Sequence, residues 1–200
     1  MNINLTAFKI TFLKDMGELS QQKMDLLVKE FSVEFPIKNV LPVGILLFKN
    51  SSIERHSLFV SPNQITVSQE GVNIEPNSKF AKSCAKRIYD KFYLGYNCQG
   101  ICDFSTLIPG GSLEISKGFA GQDFSDIPQL KGIGLRFIIE DSEFNGDFRY
   151  EPYLPEPSKF FCEMEGRLLK ATDIRDVAKK SEELLEMFKG LINKVYYKYN

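Results

Sequence analysis

Tryptophan is missing from this 200-residue chain, and histidine occurs once, at position 56. Any histidine-dependent chemistry must therefore use His56, which sits among Arg55, Ser57 and Leu58 with no nucleophile motif beside it. A solvent-facing or core-satisfied histidine is the better reading. No apolar run approaches the roughly 18 residues that a membrane-spanning helix needs. The formal net charge is −1, so there is no whole-chain cationic excess for a polyanion to meet, and nucleic acid is disfavoured as a partner. A Walker Lys-Ser/Thr pair and the dinucleotide glycine pattern are missing too. Residues Met1 to Phe12 largely alternate apolar with polar, which reads as a first strand rather than a signal peptide and places the protein in the cytoplasm.

Cysteine is scarce as well, at positions 84, 98, 102 and 162. Cys98 and Cys102 are separated by three residues rather than two, and no second close pair completes a set of four metal ligands. Cys84 lies on an apolar helix stripe and Cys162 on the inferred core face of a strand, where a thiol behaves as a small hydrophobe. Packing is the expected role of all four, with a redox or metal role for Cys98 and Cys102 as the alternative.

What is present is internal similarity. Ser61 to Gly71 aligns without a gap on Glu156 to Gly166, matching Pro62 with Pro157, Glu70 with Glu165 and Gly71 with Gly166. Each copy is a Pro-marked turn, a strand-like run and a Glu-Gly exit, with an amphipathic helix pattern after it. A repeat of half the chain predicts a βα unit duplicated and packed against its twin. The halves are residues 1–99 and 100–200, expected to form one compact unit around a shared core.

Along the first half, a strand ends near Leu13 and Ser20 caps a helix carrying Met24, Leu27, Val28 and Phe31 on one face. Pro36 and Pro42 punctuate a connection, and Val43 to Phe48 reads as a buried strand. Arg55–Val60 and Gln64–Gln69 form a hairpin through Ser61-Pro62-Asn63. Asn77-Ser78 then caps a helix with Phe80, Ala81, Cys84, Ala85, Ile88 and Phe92 on one stripe. The expected order is β-α-β-β-β-α.

The second half predicts a strand over Gly100–Ile108, a hairpin turn at Pro109-Gly110-Gly111 and a strand over Ser112–Ser116. The Gly-, Asp- and Pro-containing stretch on to Gln129 is too broken for a long helix. Gly134–Ile139 is the counterpart of Gly44–Phe48, a hairpin follows around Pro155 and Pro157, and Thr172 or Asp173 caps a long final helix. The fold class is thus α+β: a duplicated βαβββα-like unit forming a mostly antiparallel sheet with helices on one face. The element order resembles the saddle of TATA-binding proteins in topology, and topology carries no function.

A second resemblance rests on Gly132-Ile133-Gly134-Leu135-Arg136-Phe137-Ile138 followed by Tyr150-Glu151-Pro152-Tyr153-Leu154. This is similar to the Gly-Leu-Arg-aromatic strand and following segment of a sporadically distributed prokaryotic protein family. That family has no established activity, so the resemblance implies a prokaryotic protein and transfers no chemistry.

Seventeen Phe and eight Tyr give an aromatic excess, several of them close together at Phe144, Phe148, Tyr150, Tyr153, Phe160 and Phe161. They could fill a core, line an apolar pocket or anchor a partner. Glu163 and Glu165 share one strand face, and the duplication would bring Glu70 toward them. Paired carboxylates can do acid-base work or hold a cation, and a solvated face gives the same pattern. Arg136 interrupts an apolar strand and must snorkel, pair with a carboxylate or meet a ligand. The candidate binding residues are therefore Arg136, Glu70, Glu163, Glu165, Phe161 and Tyr150, with no metal or cofactor set.

These features favour a binding protein without catalysis, one that holds a protein segment or an apolar ligand on an open sheet face or at the aromatic cluster. The alternatives are an enzyme in which Arg136 orients an anionic substrate beside the glutamates, and a nucleic-acid saddle, which needs cations where the glutamates fall. Exposed strand edges would allow a homodimer.

Overall fold

Alternation over Phe8–Phe12 puts Phe8, Ile10 and Phe12 on one side of the first strand, Leu5–Leu13, each almost wholly buried, while Lys9 is exposed on the other. The same two-residue period recurs through a computed structural model that describes residues 1–120, 127 and 132–199. In chain order the elements are β1 (Leu5–Leu13), α1 (Gln21–Phe31), β2 (Ile37–Leu41), β3 (Gly44–Asn50), β4 (Glu54–Ser61), β5 (Gln64–Ile74) and α2 (Ser78–Lys91). The chain continues with β6 (Gln99–Pro109), α3 (Ser112–Lys117), β7 (Leu135–Glu140), β8 (Phe144–Pro152), β9 (Lys159–Leu168) and α4 (Ile174–Tyr199).

All nine strands join one open antiparallel sheet in the order β2-β3-β4-β5-β1-β6-β9-β8-β7, and the four helices lie on one side of it. With β2 set aside, this order reads the same from either end: β1 and β6 at the centre, then β5 and β9, β4 and β8, β3 and β7. Phe8 faces Phe104 across the central pair, and the two rings stack with centroids 5.8 Å apart. The similar stretches of sequence fall on β5 and β9, the strands that flank that pair.

The helices begin where the caps are. Ser20 accepts from the Lys23 amide, the Asn77 side chain from Phe80, and Asp173 from the amides of Arg175 and Asp176. α4 sits close against β6 and β9 because a glycine faces it from each strand. A Cβ on Gly100 would come within 2.7 Å of Val177, and one on Gly166 would collide with Leu184. α1 is tied to α2 by Arg87, whose guanidinium bonds Glu30 and Glu34 and lies 4.2 Å from the Phe31 ring centroid.

Two expectations of secondary structure need correction, and one open question about the aromatic residues is answered. Residues 37–41 form a strand rather than a plain connection, so the first half runs β-α-β-β-β-β-α. Residues 112–117 form the short helix α3 rather than a strand; β6 ends at Pro109, Gly110 takes φ 157°, and the Ile115 amide bonds the Gly111 carbonyl. A five-residue alternating run does not separate a strand from one helical turn. Most of the aromatic cluster is core: Phe144, Phe148, Tyr150 and Phe160 are buried beneath the helices. The stretch read as too broken for a long helix falls, beyond Ala120, almost entirely outside the described residues.

Candidate functional site

With the helices on one side, the residues that point the other way make a broad open face, and strand register arranges them in rows. One row runs Ile37, Phe48, Ser57, Ser68, Lys9, Asp103, Glu165, Asp147, Ile138. A neighbouring row runs Arg55, Glu70, Ala7, Ser105, Glu163, Arg149, Arg136.

The β6–β7 side of this face is a lattice of charges. Lys9 Nζ lies 2.6 Å from an Asp103 carboxylate oxygen. Arg136 grips Asp147 at two points, through Nε at 2.9 Å and Nη2 at 2.5 Å, and this grip holds the Asp147 carboxyl below the usual carboxylate range. Arg149 bridges Asp147 and Glu163, at 3.3 Å to each. Glu165 stands between Asp103 and Asp147 and has no ion pair among the described residues.

The β2–β5 side is neutral by comparison. Ser57 and Ser68 share a 2.6 Å hydroxyl contact, and Thr11 and Thr66 one of 3.0 Å. Beside them Leu46, Phe48 and Phe59 are half-buried on adjacent strands, and Ile37 at the rim is 44% exposed. The Arg55 guanidinium covers the Phe48 ring at 5.4 Å. A groove of about 610 Å³ opens at the end of this patch, walled by Leu19, Met24, Leu41, Val43, Phe59 and Pro62.

Of the residues singled out from sequence, Arg136, Glu163, Glu165, Phe161 and Glu70 all reach this face. They do not converge. Glu70 is three strand spacings from Glu163, roughly 14 Å, with Ala7 and Ser105 between them. Arg136 pairs with Asp147 rather than with a glutamate. Phe161 is half-buried between Leu107 and Glu151. Tyr150 is misplaced in that group: it is 1% exposed on the helix side, its ring against Phe160 and Phe119. The sequence reading missed Asp147, Arg149, Phe48 and Phe59. Asp147, Arg149 and Glu151 alternate with the buried Phe148 and Tyr150, and that two-residue period was the available signal.

His56 lies on the helix side of β4, its Nε2 2.9 Å from Glu54. All four cysteines are buried thiols. Burial pushes Cys84 up to about 12 and Cys98 up to about 11, and it raises Cys102 and Cys162 as well. They are protonated at neutral pH, which is packing chemistry rather than nucleophile chemistry. Among the described residues no group of three or more His, Cys, Asp or Glu side chains is placed to hold a metal ion. No helix among them is long and apolar enough to cross a membrane.

No protein-family model matches this chain, and no curated protein aligns with it.

Proposed function

We propose that this protein is a non-catalytic binding protein whose open sheet face, on its β2–β4 side, holds an apolar segment of another protein. The observation that carries this reading is the side-by-side placement of half-buried Leu46, Phe48 and Phe59 on the face opposite the helices, continuous with the groove beyond Phe59. Flat aromatic surface with a cation at its rim suits an extended chain carrying apolar side chains. The palindromic strand order supports the companion reading of two fused βα units, one carrying the neutral side of the open face and the other the charged side.

The same geometry lends little to an enzyme built on Arg136 and the glutamates, because Arg136 is engaged by Asp147 and the carboxylates are spread along rows instead of gathered in a cleft. A nucleic-acid saddle gains little from a face carrying Asp103, Asp147, Glu163 and Glu165 among its cations. Four reduced, buried cysteines support a cytoplasmic setting, which fractionation would test.

The test is photocrosslinking from position 59, with position 165 on the charged side as control. A partner joined at 59, lost from Phe48→Asp and kept by Glu165→Gln, is the expected result. Equal labelling from both positions overturns the reading, and a small apolar molecule retained in native mass spectrometry would replace the protein segment with a ligand.

A further inference from the structure

The sheet ends in β2 on one side and β7 on the other, and the two edges are built differently. β2 is five residues long with Pro36 and Pro42 directly beside it and Lys38 within it, the features that discourage strands from pairing edge to edge. β7, Leu135-Arg136-Phe137-Ile138-Ile139-Glu140, contains neither proline nor lysine. Its one cation, Arg136, is turned inward onto Asp147 of the adjacent strand. Phe137 is 40% and Ile138 62% exposed.

We propose that β7 pairs antiparallel with β7 of a second copy of this chain, centred on Ile138. A two-fold axis perpendicular to the sheet allows only registers in which a residue meets one on its own face. Centred on Ile138, the pairing sets Ile138 against itself, Phe137 against Ile139 of the other copy, and Arg136 against Glu140 of the other copy, twice. Centred on Phe137, it would set Arg136 against Ile138 and carry Glu140 out to Gly134. Centred on Ile139, it would set Ile138 against Glu140 and Phe137 against Asp141. Only the first register matches charge with charge and apolar with apolar from Arg136 to Glu140, and such cross-strand pairs stabilise a sheet; it leaves Leu135 opposite Asp141 at each end.

The components for that contact are available. Arg136 spends Nε and Nη2 on Asp147, which leaves its Nη1 donors for a second carboxylate. Glu140 is exposed and has no ion pair among the described residues. On the helix side, a groove of about 300 Å³ runs beside the edge, lined by Leu135, Phe137, Leu191, Val195 and Tyr199 together with Lys194 and Lys198. Pairing would make one continuous sheet with both open faces on the same side. This inference stands apart from the binding reading above, since it concerns the opposite end of the sheet and its test needs no partner protein.

The test uses the whole chain in sedimentation velocity over a concentration series, together with oxidation of single-cysteine additions. The wild type should sediment as a dimer, and Ile138→Lys should weaken the dimer about tenfold or more by setting like charges opposite one another. Glu140→Arg should weaken it similarly, and mixing that variant with Arg136→Glu should restore a mixed dimer. Ile138→Cys should form a covalent dimer on oxidation while Val40→Cys, on the other edge, should not; the native thiols are all buried and do not compete. A wild type that stays monomeric throughout the series, or a Val40→Cys variant that crosslinks as readily as Ile138→Cys, overturns the proposal.

Discussion

On the β3–β5 side of the open face the rows read Leu46–Phe59–Thr66 and Phe48–Ser57–Ser68; across the centre they read Asp103–Glu165–Asp147 and Ser105–Glu163–Arg149. The two sides rest on the same backbone pattern, with Leu58 and Val60 buried beneath one and Phe148 and Met164 beneath the other. The helix side thus fixes the fold of both, and the open side is left to differ. Where hydroxyls pair with one another, neutral aromatic surface survives beside them. Where carboxylates occupy neighbouring strands, guanidinium groups must be recruited to compensate, and the surface stays polar and hydrated.

Phe148→Ala removes a fully buried ring that packs on Phe137 and Phe188, and we expect a loss of about 3–5 kcal/mol in urea unfolding. Leu58→Ala beneath the neutral side should cost about 2–5 kcal/mol. A much smaller loss at either position would mean that the two sides do not share one core.

Asp147→Ala and Ser57→Ala separate the two sides of the open face by charge. Asp147→Ala leaves Arg136 and Arg149 opposite one another without their common partner, so we expect a loss of about 1 kcal/mol that shrinks in high salt. Ser57→Ala removes one hydroxyl of the Ser57–Ser68 pair and should cost about 1 kcal/mol or less, the same in low salt and high. Parallel denaturation series at two ionic strengths would show whether salt separates them.

Acid should separate them as well. Lys170 and Lys180 hold the Glu143 carboxyl down to about 2, and Arg136 lowers Asp147. Both titrate lower in the folded protein than in the unfolded chain, so their stabilisation is complete above the unfolded carboxylate range. It is lost as pH falls through that range toward the folded values. Amide protection in β8 should therefore decline before protection in β4 as pH is lowered from 5 toward 2. Simultaneous decline would contradict the assignment. The smallest effect is a gain: Glu165→Gln relieves the meeting of Asp103, Glu165 and Asp147 and should stabilise by roughly 0.5 kcal/mol, read as a small rise in the urea midpoint.

Much of the fold was legible because burial on one face imposes a period. The stripes of α2 and α4, the Pro62 and Pro157 turns, and the alternation of Ile65 with Val67 and of Phe160 with Cys162 all carry that period plainly. β2 did not show itself, since all five of its residues are exposed or half-exposed and none records a buried side. The partner of Arg136 was out of reach for another reason. Asp147 lies eleven positions away on a facing strand, and only the register of β7 against β8 brings the two together. Tyr150 was within reach: the charged residues on either side of it mark it as belonging to the opposite face.

The position of β1 has a bearing on how the chain is made. β1 precedes the other described strands in the chain and is bonded on both sides, to β5 on one and β6 on the other. The meanders β2 to β5 and β7 to β9 can each zip locally, whereas β1 must wait for Gln64–Ile74 and then for Gln99–Pro109 before its two edges are filled. Phe8, Ile10 and Phe12 remain without their final neighbours throughout that interval. Such long-range pairing slows folding and prolongs the time over which a nascent strand can mispair. For this protein, Leu5–Leu13 is therefore the strand most in need of protection during translation.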